Sequence, residues 1–237
     1  MLGPLVNSAA LLLGGSAGAA LGSYVPKRVT EALPLTCGVL SACIGTVMVS
    51  KVHALPPVAL AMLGGSFIGE LLSLEKRLEA LIRWCQKLAE RFLPPREDDP
   101  KIQSFILKYV SVLVLFSVSG MGVFGSMREG MSGDPTILLA KSVLDLFTAL
   151  IFGAEMGFSI MLIALPQIAI QGSLYFGATF LAPLVSMPMQ LDFSACGGII
   201  MFATGLRICG IKLFPIVNML PALILAMPAS ALWSHFF

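Results

Sequence analysis

Long apolar stretches separated by short polar breaks run the length of the chain. Eight of them, over residues 3–23, 34–51, 55–73, 104–126, 136–154, 159–184, 193–210 and 213–234, come near the span of about 20 apolar residues that carries a helix across bilayer hydrocarbon. Within 136–184, Glu155 and Gly157 interrupt the apolar run and read as a turn between two helices. The alternative is seven spans with a re-entrant segment there. The expected fold is all-α: a polytopic transmembrane bundle of about eight helices, forming one integral membrane domain over residues 1–237.

Outside the spans the clearest periodicity lies in 74–92. Leu74, Leu78, Leu81, Ile82, Cys85, Leu88, Ala89 and Phe92 recur on one helical face, with Lys76, Arg77, Arg83, Lys87 and Arg91 among the residues opposite. A basic amphipathic helix joined to a span is expected to lie in the membrane interface or to pack on the protein itself. Pro94-Pro95 ends it, and a charged linker completes the segment 74–103. Lys27 and Arg28, this basic segment, and Arg207 with Lys212 fall on one side in an eight-span chain, which makes that side cytoplasmic. The opening residues are apolar without a basic leader, so a cleaved signal peptide is not expected.

Composition closes off other classes. The chain is 57% hydrophobic and 12% charged, with a mean hydropathy of +0.92. A soluble domain carries roughly a quarter charged residues to wet its surface. Cys37, Cys43, Cys85, Cys196 and Cys209 are scattered without a C-x-x-C, and His53 and His235 have no ligand-spaced partners, so no metal is expected. Nucleotide-binding, hydrolase and metalloprotease signatures are missing from the sequence. The expectation is a non-enzyme without cofactor or nucleic-acid partner, whose partners are the lipid bilayer and a small solute or ion.

Small residues recur every fourth position: Gly14, Gly18 and Gly22; Ser41 and Gly45; Gly65 and Gly69; Ser173 and Gly177. Such stripes let helix backbones approach closely and would also suit a homo-oligomer. Short strings repeat as well. Pro-x-Val-Asn occurs at 4–7 and 215–218, Leu-Gly-Gly-Ser at 13–16 and 63–66, and Ser-Ala-Cys-x-Gly at 41–45 and 194–198. Spans one and eight, and spans two and seven, run in opposite directions, so inverted-topology repeats are a candidate architecture. That architecture places binding sites near the midplane between the repeats.

The run from Ser119-Gly120-Met121-Gly122 through Arg128-Glu129-Gly130, Gly133-Asp134-Pro135, Lys141-Ser142 and Leu144-Asp145 resembles the signature of the YqgA/YdfK family, as do Ala203 to Lys212, Val217 to Ala222 and Gly3 to Asn7. The resemblance spans the chain. It implies a multi-pass bacterial inner-membrane protein holding a domain of unknown function, and it lends no activity.

The candidate chemistry therefore comes from charges placed where lipid should be. Asp134 before Pro135 is a helix start, with Asp134 as cap. At about 1.5 Å per residue, Lys141 lies about 9 Å and Asp145 about 15 Å into that helix. Being four apart, they share a face and can pair. A charge at such depth costs roughly 2.5–3.5 kcal/mol on insertion scales, so both must turn inward, as a functional site or as a structural ion pair. Asn7, Asn218, Gln167 and Gln171 are intramembrane amides that would surround the pair or bond helices together. Asp134, Arg207 and Glu70 are secondary candidates. Asp192 is expected to cap span seven, and Pro221 to kink span eight beside Asn218. The function that fits is a membrane transporter or channel for a small solute or ion. The alternative is a membrane scaffold or assembly partner without transport.

Overall fold

Proline and glycine decide where the helices of this chain begin, touch and end. The computed structural model describes residues 1–21, 24, 26–80, 84, 105, 109, 112, 113, 116, 117 and 119–236. Among them stand helices α1 (Leu2–Leu21), α2 (Lys27–Val49), α3 (Leu55–Leu71), α4 (Leu74–Ala80), α5 (Gly120–Ser132), α6 (Thr136–Met156), α7 (Ala164–Leu181), α8 (Met187–Ile208), α9 (Ile216–Met219) and α10 (Pro221–Phe236), with 3-10 turns at Gly157–Ile163 and Ala182–Leu184. Pro26, Pro56 and Pro188 sit at helix starts, where a missing N–H leaves no bond unmade. Gly133, Gly157 and Gly210 end helices at φ values of 74°, 65° and 71°, a conformation that costs a side chain.

The all-α polytopic bundle is borne out. Leu2–Leu21, Glu31–Val49, Thr136–Leu184, Met187–Ile208 and Ile216–Phe236 are long and apolar enough to cross a membrane, and α3 with α4 makes a sixth if their 45° bend lies within one span. The segment Thr136–Leu184 reverses at Gly157, as its sequence forecast, and holds the two antiparallel passes α6 and α7. Large apolar side chains such as Leu63 (75% exposed) and Phe180 (81%) face outward, as lipid contact requires.

Several boundaries move. The fourth stretch, expected as one helix over 104–126, is interrupted at Ser119. Its backbone there is extended (φ −70°, ψ 147°), its hydroxyl accepts from Gly122 N–H, and α5 then runs six residues past the expected end. α2 and α8 begin at Lys27 and Met187 rather than at 34 and 193. Pro221 divides α9 from α10, as its missing N–H dictates. Most of the amphipathic helix beyond Ala80, its linker, the stretch up to 118 and Gly22 lie outside the described residues.

Glycines set the pairing. A Cβ on Gly14 or Gly18 would strike the carbonyls of Leu146 and Leu150, so α1 lies backbone-to-backbone on α6, and the two run parallel. Gly122 faces Gln171 and Gly130 faces Tyr175, so α5 and α7 are likewise parallel. α2 and α8 cross antiparallel: a Cβ on Gly38 would lie 2.9 Å from the Gly205 carbonyl, and one on Gly198 would lie 2.7 Å from the Gly45 carbonyl. Gly65 and Gly69 meet Ala222 and Asn218, which joins α3 to α9 and α10. Ser173 and Gly177 are both exposed, and a Cβ on Gly177 would meet no atom within 4 Å among the described residues.

These pairs obey one register. Leu21 and Leu181 close their helices, Lys27 and Met187 open theirs, and Gly38 and Gly45 correspond to Gly198 and Gly205, every pair 160 positions apart. Ser41 donates its hydroxyl hydrogen bond to the carbonyl of Met201, its own counterpart at that interval, as residues on a two-fold axis do. Asn7 corresponds to Gln167. In this register α1, α2 and α3 match α7, α8 and α9–α10 with direction reversed. The short strings do not follow it. Pro-x-Val-Asn links α1 to α9, which are not counterparts, and Ser194 falls two helical turns before the counterpart of Ser41.

Candidate functional site

The site is built from α6 outward. Gly133-Asp134-Pro135 turns the chain from α5 into α6. Asp134 Oδ1 accepts from the Thr136 backbone N–H at 3.0 Å and from its hydroxyl, and Arg128 Nη2 donates to Oδ2 at 2.9 Å. Asp134 thus caps α6 at the membrane edge and stays out of the interior cluster. Burial acts to raise its pKa, but the Thr136 hydrogen bonds and the Arg128 guanidinium outweigh burial and hold the carboxyl below the usual carboxylate range. A depressed folded-state pKa contributes stability above the unfolded value of about 3.9, and that contribution is lost as pH falls through the folded value. Asp134→Asn should therefore unfold more easily than the parent chain at pH 7 and indistinguishably from it once Asp134 is protonated. Unfolding in detergent at both pH values measures this.

Further along α6, Lys141 and Asp145 are 2% and 8% exposed and form an ion pair one helical turn apart. Lys141 Nζ also donates to the Phe116 carbonyl at 3.3 Å and stands 6.0 Å from the centre of the Phe116 ring. Gln167 Nε2 donates to Asp145 Oδ2 at 3.3 Å, and Asn7 Nδ2 donates to Gln171 Oε1 at 3.3 Å. Asn7, Gln167 and Gln171 are fully buried. α1, α6 and α7 therefore bring five of the expected residues into one cluster. The third residue of α5 completes it: a Cβ on Gly122 would lie 3.2 Å from both Gln171 Nε2 and Lys141 Cε, so the start of this helix stands close against the cluster.

Half of the amide capacity is unused. Asn7 Oδ1, Gln167 Oε1 and Gln171 Nε2 are buried without a partner among the described residues, as are the hydroxyls of Ser8 and Ser117. Each such group costs about 1–3 kcal/mol. A merely structural network would close on itself. Among the described residues no group of His, Cys, Asp and Glu could hold a metal.

Residues 2–231 match the family described as "Protein of unknown function (DUF554)". The chain belongs to DUF554. It is 47% identical over 237 residues to the uncharacterised protein YqgA of Escherichia coli strain K12, covering 100% of this chain and 99% of YqgA. It is 25% identical over 233 residues to the uncharacterised membrane protein YdfK of Bacillus subtilis strain 168, covering 95% and 93% of the two chains. No solved structure matches.

The remaining candidates of this DUF554 chain lie elsewhere. Asn218 is buried at the far end of α3, where its Oδ1 accepts from Glu75 N–H at 2.8 Å. Arg207 is beside it, donating to Glu75 Oε1 at 2.6 Å and to the Phe214 carbonyl at 2.7 Å. These residues fasten the α3–α4 bend to α8 and α9 and do not join the Lys141/Asp145 cluster. Glu70 is exposed on α3.

Two buried carboxylates cap helices other than their own. Asp192, 1% exposed, lies inside α8 because that helix begins at Met187. Its Oδ1 accepts from His53 and Ala54 N–H at 3.0 and 2.9 Å, capping α3, and Ser230 donates to Oδ2 at 2.6 Å. Glu129, 3% exposed, accepts from Gly3 N–H at 3.0 Å and so caps α1 from α5. Glu129 is not among the sequence candidates. Its signal is the Gly133-Asp134-Pro135 stop, which allows α5 to extend past 126.

Proposed function

We propose that this multi-pass membrane protein is a transporter or channel for a small solute or ion, and that it performs no enzymatic reaction. The carrying observation is the buried Lys141/Asp145 pair ringed by amides with unpartnered atoms, placed where α1 crosses its reversed counterpart α7 and where the interrupted helix α5 begins. Reversed repeats with a polar site at their junction, fed by the N-terminus of a discontinuous helix, are the arrangement that alternating access uses. The positive charge of the face bearing Arg28, Lys76, Arg77, Arg207 and Lys212 supports reading that face as the cytoplasmic side of the bacterial inner membrane. α4 leaves α3 with Leu74 and Leu78 half-buried and Lys76 and Arg77 exposed, which suits an interfacial helix on that face.

Reconstitution into proteoliposomes with a panel of ion and metabolite fluxes tests the proposal. A flux present in the parent protein should be abolished in Asp145→Asn when scored per folded protein, since that change also leaves the buried Lys141 ammonium without its partner. A flux unchanged by Asp145→Asn would remove the site from the pathway.

A further inference from the structure

Resting on the transport reading, we infer that the Lys141/Asp145 site takes a small zwitterion of the α-amino-acid class. The first argument is charge balance. The interior cluster holds one ammonium and one carboxylate, and no other charged side chain contacts them among the described residues. A net-charged ligand brought to a site this buried would leave a charge uncompensated in low dielectric, a state that is strongly disfavoured. A zwitterion adds nothing to the balance.

The second argument is polarity. The unpartnered atoms fall into two sets. Asn7 Oδ1 and Gln167 Oε1 are acceptors on the side chains that surround Asp145, and they suit a ligand ammonium. Gln171 Nε2 is a donor and faces Gly122, the third residue of α5, beside the Lys141 side chain. The first N–H groups of a helix lack intrahelical acceptors and carry its positive dipole end, so this side suits a ligand carboxylate. Without ligand, Lys141 and Asp145 neutralise each other. With ligand, Asp145 turns to the substrate ammonium and Lys141 to the substrate carboxylate, and the internal pair is exchanged for two external ones. This explains why the amides around a satisfied ion pair are left half-used.

The test is thermal unfolding of the full-length chain in detergent with glycine, alanine and serine, set against glycinamide (cation only), N-acetylglycine (anion only), sodium chloride and potassium chloride. The zwitterions should raise the unfolding midpoint by about 2–5 °C at saturation, as mass action on the folded state requires, while the singly charged compounds should not. Removing one pole should switch the ranking: Asp145→Asn responds to N-acetylglycine, and Lys141→Met responds to glycinamide. Singly charged compounds or salts that match the zwitterions on the parent protein would overturn the inference, as would no response to any amino acid. The parent ranking decides even where a variant fails to fold. Proteoliposome uptake separates the two readings. An Asp145-dependent flux of a net-charged solute sinks the zwitterion and keeps transport. Zwitterion-specific stabilisation without flux keeps the ligand class and sinks transport.

Discussion

Lys141→Met should destabilise the folded chain by about 3–5 kcal/mol, and adding Asp145→Leu should restore most of that loss. Removing the ammonium leaves the Asp145 carboxylate 8% exposed, with amide donors but no countercharge. The two costs are opposite in kind: the single change strands an ion, whereas the double change replaces a desolvated pair by apolar volume in an apolar setting. Equilibrium unfolding in detergent of the parent, both single variants and the double variant gives the coupling directly. If single and double variants lose equal stability, Lys141 and Asp145 do not form the pair described. The double variant should fold and yet fail in the flux assay, which separates a transport role from a structural one.

Gly14→Val and Gly18→Val should each cost about 3 kcal/mol or more and deplete the folded protein. An added Cβ at either site meets the backbone carbonyls of Leu146 or Leu150, and no side chain can move aside to admit it. The helix with the most extensive contact to α1 is α6, so displacing α1 also pulls Asn7 away from Gln171 and disassembles the site. Gly177→Ala is the internal control. Among the described residues nothing lies within 4 Å of a Cβ there, and helix propensity alone should leave it neutral or stabilised by up to about 1 kcal/mol. Folded yield after size exclusion, followed by unfolding midpoints, would show the contrast. Stable Gly14→Val and Gly18→Val proteins would mean that α1 and α6 do not touch along this face.

The membrane class and the central ion pair were legible because each rests on a strong local signal. Apolar runs announce spans, and Lys141 with Asp145 four residues on in such a run must turn inward together. Gln167 and Gln171, spaced the same way, joined them. An amide that begins an apolar span says nothing of which helix it faces, and the register of α9 against α3 carries Asn218 to Gly69 and Glu75, away from the cluster. Polarity alone puts Asp192 at a span end. α8 in fact begins before it, and the carboxylate is buried only because it caps α3 across the bundle. The interruption at Ser119 left little trace in the sequence: Ser-Gly-Met-Gly inside an apolar stretch fits a continuous helix as well as a broken one. The short strings do not mark the reversed repeats, since what repeats is helix boundaries and glycine positions.

The caps on α1 and α3 bear on how the chain is made. The Gly3 N–H donates to Glu129, 126 residues later, and the Ala54 N–H donates to Asp192, 138 residues later. At synthesis rates of about 5–20 residues per second, each of these helices waits roughly 6–30 s after emerging from the ribosome before its partner exists. During that interval the open amides at their tips must be met by water at the membrane surface or by the insertion machinery. Biogenesis of this protein is thus obligatorily late: a nascent chain halted before α8 carries every residue of the polar cluster, yet it cannot finish the third helix it inserted.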